Sequence, residues 1–148
     1  MHLTEGGDLQ LSNGELQTAK VAYRDGDRAI TIADGGKVTF SQAVVGAVVA
    51  GGTSGTIALD CSTSNYFTIT TSSDVDGLNF TNAVVGQRII VRITNGGTDT
   101  IAFGTDTIKW PGGTAPVLTT PTGTDVYGFI CTTESSAFDG FIVGQALA

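Results

Sequence analysis

The residues that could do chemistry are few, and their spacing does not assemble them. The only histidine of this 148-residue chain is His2. A pair of imidazoles for a metal is therefore impossible, and a serine–histidine–aspartate arrangement would have to reach position 2. Two pairs of acids, Asp25/Asp27 and Asp74/Asp76, have the composition of a general acid and base for glycan hydrolysis. Each pair flanks or includes a glycine turn, where carboxylates ordinarily accept bonds from backbone N–H groups. The same clusters offer hard oxygens to calcium, but Asp74-Val75-Asp76-Gly77-Leu78 lacks the third oxygen ligand and the distal glutamate of an EF-hand loop. A loop site built from backbone carbonyls stays open. Cys61 and Cys131 have no CxxC spacing and stand in apolar, strand-like surroundings, which fits small buried hydrophobes. A bond between them would need their strands to be neighbours. No phosphate-binding glycine loop follows any strand. Trp110, Tyr127, Tyr66 and Tyr23 could offer flat faces to a sugar, or they could be core and subunit interface. No catalytic residue, metal site or cofactor is expected, and the chain does not read as an enzyme.

Composition narrows the remaining classes. Net charge is −7, which argues against a nucleic-acid partner because phosphate neutralisation needs a basic surface. Lys20, Arg24, Arg28 and Lys37 supply four of the seven basic residues in one early stretch, interleaved with Asp25, Asp27 and Asp34. That stretch suits either an arm that docks on an acidic surface or an ordinary solvated face. Only 14% of residues are charged against 41% hydrophobic, so much of the surface is expected to be Thr, Ser and Gly or to be covered by partner subunits. The apolar core of Val38–Leu59 is too short to cross a bilayer. Met1-His2-Leu3-Thr4-Glu5 has neither the basic nor the apolar region of a secretory leader, and the expected place of synthesis is the cytoplasm.

The elements that would position any site are strands. Leu16–Ala22, Arg28–Ala33 and Lys37–Ser41 are short β segments separated by Asp-Gly turns. Gln42–Gly55 is a strand pair or an apolar linker; its valines and glycines and the missing caps argue against a helix. From Thr56 onward the alternation is clearer: Ile57–Cys61, Tyr66–Thr71, Leu78–Phe80, Arg88–Thr94, Thr100–Phe103 and Ile108–Trp110. Asn95-Gly96-Gly97 reads as a hairpin turn. Trp110-Pro111-Gly112-Gly113 forces a turn, and Val126–Cys131 and Phe138–Val143 close the domain. Strand signals at this spacing predict an all-β fold, an antiparallel β-sandwich of jelly-roll-like form over residues 56–148, preceded by a small N-terminal β-arm or docking segment over residues 1–55. One internal echo is present: Phe40–Gly46 and Phe80–Gly86 share F-x-x-AVVG, and each is followed by a GGT turn and a TIA segment at unequal offsets. One such pair does not make a repeat array.

Several of these segments carry a family resemblance. Asp25–Gln42, DGDRAITIADGGKVTFSQ, resembles an idiom of tailed-bacteriophage structural proteins. NYFTIT at Asn65–Thr70, KWPGGTAPVLT at Lys109–Thr119 and GFIVGQALA at Gly140–Ala148 are similar to a β-domain of phage virion surface proteins, found in capsid decoration proteins, head fibres and tail fibres. The resemblance implies a homotrimeric structural protein of the virion, assembled in the host cytoplasm, with no catalytic residue to carry over. With no heptads or repeat array to build a shaft, the expectation is a decoration (cement) protein on the capsid surface. Its partners would be the major capsid protein and itself, with no nucleic acid and no membrane. Docking is expected from Arg24, Arg28 and Lys37. The alternative is a head- or tail-fibre adhesin module that meets a host glycan through Trp110 and Tyr127.

Overall fold

The structure, a computed structural model, describes residues 46–104 and 106–147, together with His2–Leu3, Leu9–Gln10, Lys20–Ala22, Arg28–Ile32 and 37–40. The chain forms two compact units, Met1–Val45 and Gly46–Ala148. No α-helix occurs among the described residues, and the all-β expectation holds.

In the first unit, β1 (His2–Leu3) pairs antiparallel with β2 (Leu9–Gln10). Strands β3 (Lys20–Ala22), β4 (Arg28–Ile32) and β5 (Val38–Phe40) make an antiparallel sheet in that order. The Asp-Gly segments expected to turn the chain between them lie outside the described residues.

The second unit contains β6 (Val48–Gly52), β7 (Thr56–Asp60), β8 (Tyr66–Thr70), β9 (Gly77–Thr81), β10 (Arg88–Asn95), β11 (Thr107–Lys109), β12 (Gly123–Thr133) and β13 (Ala137–Leu147). Val48–Gly52, which the sequence reading placed in the N-terminal segment, is thus part of this unit. Six of the strands form a mixed sheet in the order β11-β13-β12-β10-β8-β6, and β7 and β9 form a second sheet. The alternation of apolar and polar residues decides which face is buried. Ile89, Val91 and Ile93 are at most 1% exposed while Arg88 and Arg92 between and beside them are exposed. Phe67 and Ile69 of β8, Ile57 and Leu59 of β7, Leu78 and Phe80 of β9, and Phe129 and Cys131 of β12 join the same core.

The sheets are not wholly antiparallel, which corrects the expected jelly-roll-like pairing. β6, β8 and β10 run parallel, with Val48 opposite Tyr66 and Tyr66 opposite Ile90. β7 and β9 are also parallel. The chain therefore alternates between the two sheets, one strand in each, as it advances from β6 to β10. The expected strand at Thr100–Phe103 continues this winding in reduced form. Ile101 bridges Val75, Leu78 N–H donates to Ala102 O at 2.9 Å, and Ala102 N–H donates to Val75 O at 2.8 Å. The hairpin expected at Asn95-Gly96-Gly97 does not form, because β10 pairs with β8 and β12 and the chain crosses to the other sheet instead. Asn95 drives that crossing: its buried side chain accepts from Gly97 N–H at 3.0 Å and donates to Asp99 O at 3.1 Å. Within the second unit, antiparallel pairing among the described strands appears only at the far side of the large sheet, where β12 lies between β10 and β13. At Pro111–Gly113 the chain makes a short 3-10 turn, closed by Gly113 N–H on Trp110 O at 2.9 Å, as the Trp-Pro-Gly-Gly sequence requires.

Candidate functional site

Of the carboxylates singled out for chemistry, Asp74 is occupied with the backbone and side chain of Thr100. Asp74 Oδ1 accepts from Thr100 N–H at 2.7 Å and from the Thr100 hydroxyl at 3.0 Å, and these bonds hold its pKa below 3.8. It ties the crossing after β10 to the segment before β9. Asp60 does the same for the turn after β7, accepting from Asn82 Nδ2, Ser62 Oγ and Ser62 N–H, which also lowers its pKa. Asp25 and Asp27 lie outside the described residues. Among the described residues no three His, Cys, Asp or Glu side chains converge as a metal site. Cys61 and Cys131 are both free and buried. Burial, with the Asp60 charge behind it, pushes the Cys61 thiol up to about 12, so it stays protonated and unreactive near neutrality.

The aromatic platform is corrected by burial. Tyr127 faces the core at 0% exposure. Its hydroxyl donates to Asp125 Oδ2 at 3.3 Å and accepts from Gln145 Nε2 at 3.3 Å, and burial raises its pKa above the ordinary phenol value. Tyr127 has no face for a glycan. Trp110 is half-buried in a cluster with Phe103 at 4.8 Å, Phe129 at 5.7 Å and Tyr127 at 6.1 Å between ring centroids. Its ring lies on Gly140, where an added Cβ would stand 2.9 Å from the ring carbon Cζ3. The indole is therefore fixed in direction with only part of its surface free.

Sequence reading missed the polar centre beside this cluster. Asp125, 1% exposed, accepts from Thr119 N–H at 2.7 Å, the Thr119 hydroxyl at 2.6 Å and Ala146 N–H at 3.0 Å. It clamps the proline-rich connection before β12 and the end of β13 onto β12. One signal was available: position 125 shares the inward phase of 127, 129 and 131, so a carboxylate there has to be buried and paired. Gln87 plays a lesser version of this role, donating to Cys61 O and Asn65 Oδ1, both at 2.7 Å.

The basic residues expected to dock stand as follows. Arg24 lies outside the described residues. Arg28 opens β4 opposite Ala22 of β3. Lys37 is exposed immediately before β5. In the second unit the exposed surface carries large apolar side chains: Val84 and Val85 on the turn between β9 and β10, Val117 in the proline-rich connection, and Ile142 and Val143 on β13, each 48–74% exposed. What this surface can do chemically is bind, through apolar contact.

No family model matches the chain, and no curated protein or solved structure matches it.

Proposed function

We propose that this chain is a tailed-bacteriophage virion protein that decorates the assembled capsid and stabilises it by binding rather than by catalysis. The observation that carries the reading is the exposed apolar surface of the second unit, Val84-Val85, Val117 and Ile142-Val143, on a chain with so few charges. Each of these side chains gains from being covered, and in a chain with so few charges partner subunits are the cover that this reading assigns to them. The resemblance of Asp25–Gln42 and of Lys109–Thr119 to virion surface proteins supplies the kind of particle. In this reading the two sheets of the second unit close on their shared core as a sandwich, copies associate as a homotrimer, and the first unit docks on the major capsid protein through Arg24, Arg28 and Lys37. A protein that binds the assembled shell and not its free subunits stabilises the shell by mass action.

Copy number on purified particles tests the reading. A ratio to the major shell protein near one, or a simple fraction of it, is the expected result. A handful of copies per particle would overturn decoration in favour of a head or tail appendage. In that case the exposed part of Trp110, set beside a rigid turn, is what remains of a glycan contact, and saturable binding lost in Trp110→Ala would establish it. Docking is tested separately: Arg24→Ala combined with Arg28→Ala should lower shell occupancy, and unchanged occupancy would remove those residues from the interface.

A further inference from the structure

The outward face of the six-stranded sheet is laid out in rows that the strand register fixes. One row runs Arg88, Ile130, Asp139 across β10, β12 and β13. The next runs Ile90, Gly128, Phe141 on the same three strands and continues through Tyr66 and Val48 on β8 and β6. A third runs Arg92, Val126, Gly144. These side chains alternate with Ile89, Val91 and Phe129, all 0% exposed, and so point away from the core. Arg88, Arg92, Asp139 and Phe141 are exposed, while Ile90, Val126 and Ile130 are half-covered.

The rows are self-complementary about β12. In the first, opposite charges stand one strand to either side of Ile130. In the second, an isoleucine and a phenylalanine flank Gly128. A Cβ on that glycine would meet the Phe141 ring, which lies across it, so any larger residue there would have to push the ring aside. In the third, a guanidinium on one side answers the low ground of Gly144 on the other. A two-fold axis running along β12, between two such faces, carries β10 of one copy onto β13 of the next. Arg88 then meets Asp139 twice, Ile90 meets Phe141 twice, and Ile130 meets its own copy at the axis. Lys109, beside Asp139 on β11, leaves each Asp139 between its own lysine and the arginine of the second copy. A foreign partner has no need of opposite charges set equally about one strand, whereas an isologous contact does.

We infer that this face binds a second copy of the same chain about a two-fold axis along β12. The contact is independent of capsid decoration and of where on a particle the protein sits. Alone it makes dimers; combined with a three-fold association it makes six-chain assemblies. Light-scattering mass measurements on the full chain over a range of concentrations test it. The wild type should have the mass of two or six chains. Arg88→Asp and Asp139→Arg each set like charges against one another twice and should raise the dissociation constant by about ten-fold or more. The double swap, Arg88→Asp with Asp139→Arg, should restore the wild-type mass. A wild type of one or three chains at every concentration overturns the inference. So does an unchanged mass in the single variants, or a swap that fails to restore association. The wild-type mass decides the matter even where a single variant does not fold.

Discussion

Replacing Asp125 with alanine takes the acceptor away from four donors at once: Thr119 N–H, the Thr119 hydroxyl, Ala146 N–H and, at the longer distance of 3.3 Å, the Tyr127 hydroxyl. The cost depends on which donors water can reach afterwards. Ala146 is exposed and Thr119 half-buried, so the Ala146 N–H and the Thr119 hydroxyl regain part of their hydration, while the Thr119 N–H, aimed at a carboxylate that is 1% exposed, and the Tyr127 hydroxyl, on a residue that is 0% exposed, regain least. Leaving a buried donor unsatisfied costs about 1–3 kcal/mol, and bonds to a charged acceptor stand at the upper end. The loss at the Thr119 N–H, a smaller one at the long Tyr127 bond and two partial ones sum to about 4 kcal/mol, a large share of the roughly 5–15 kcal/mol that holds a domain of this size. That lowers the thermal midpoint by about 15–20 °C. Asp125→Asn keeps one acceptor oxygen and opposes an N–H donor to the other bonds, so its loss should be about half as large. Urea denaturation followed through the single tryptophan, Trp110, measures both. A loss below about 1 kcal/mol for Asp125→Ala would refute the clamp, and with it the claim that this carboxylate holds the proline-rich connection and the end of β13 in place.

Four further outcomes follow from features already described. Gly140→Ala drives a methyl into the Trp110 ring, 2.9 Å from Cζ3, and should cost about 1–3 kcal/mol with a shifted tryptophan emission; an unshifted spectrum at full stability would mean the ring moves aside freely. Ala146 holds φ 53°, a conformation that costs a residue with a Cβ about 1–2 kcal/mol, so Ala146→Gly should be neutral or gain up to about 1 kcal/mol by the same denaturation. The Cys61 thiol is raised in the folded state from 9.0 to about 12, so its contribution is complete below pH 9 and declines as pH climbs from there toward 12. Tyr127, raised likewise, adds to that alkaline loss, and a denaturation midpoint flat from pH 8 to 11 would contradict it. Asp60 and Asp74, whose pKa values are lowered, act at the other end: their support is present above about pH 3.8 and fades as acid protonates them, and Asp74→Asn should flatten part of that acid slope.

Strand positions were legible because a half-buried strand writes its own period, as Ile89, Val91 and Ile93 do against Arg88 and Arg92. Partners were not legible. Alternation says which way a side chain points and nothing about whether the neighbouring strand runs parallel, so the ladder from β6 through β8 to β10 could not be read from it. Asn95-Gly96-Gly97 was misread for a related reason: its residues suit a tight return, but Asn95 spends its side chain on the crossing to the other sheet. The repeated GGT and TIA segments held more than they disclosed. Gly51–Ala58 joins β6 to β7, and Gly96–Ala102 makes the corresponding passage after β10. The offsets are unequal because the glycine pair Gly51-Gly52 closes β6 itself, whereas Gly96-Gly97 follows the longer β10. Tyr127 shows the limit for the site itself: an aromatic in a strand reads as sugar platform or as core until its phase is known, and the inward phase of Phe129 and Cys131 makes it core.

The reversal of direction at β12 bears on how the chain is made. Ribosomes deliver β6, β8 and β10 before β12, and those three strands form a parallel ladder that nothing in its own geometry brings to an end. Until residues 123–147 emerge, the β10 edge stays open, and the core lacks Tyr127, Phe129, Cys131 and Phe138. The nascent product is thus a sticky template that can recruit a strand from any neighbour. β12 ends that stage by arriving antiparallel, with β13 folded back upon it. The hairpin covers the β10 edge, and rapid delivery of it protects the unfinished ladder.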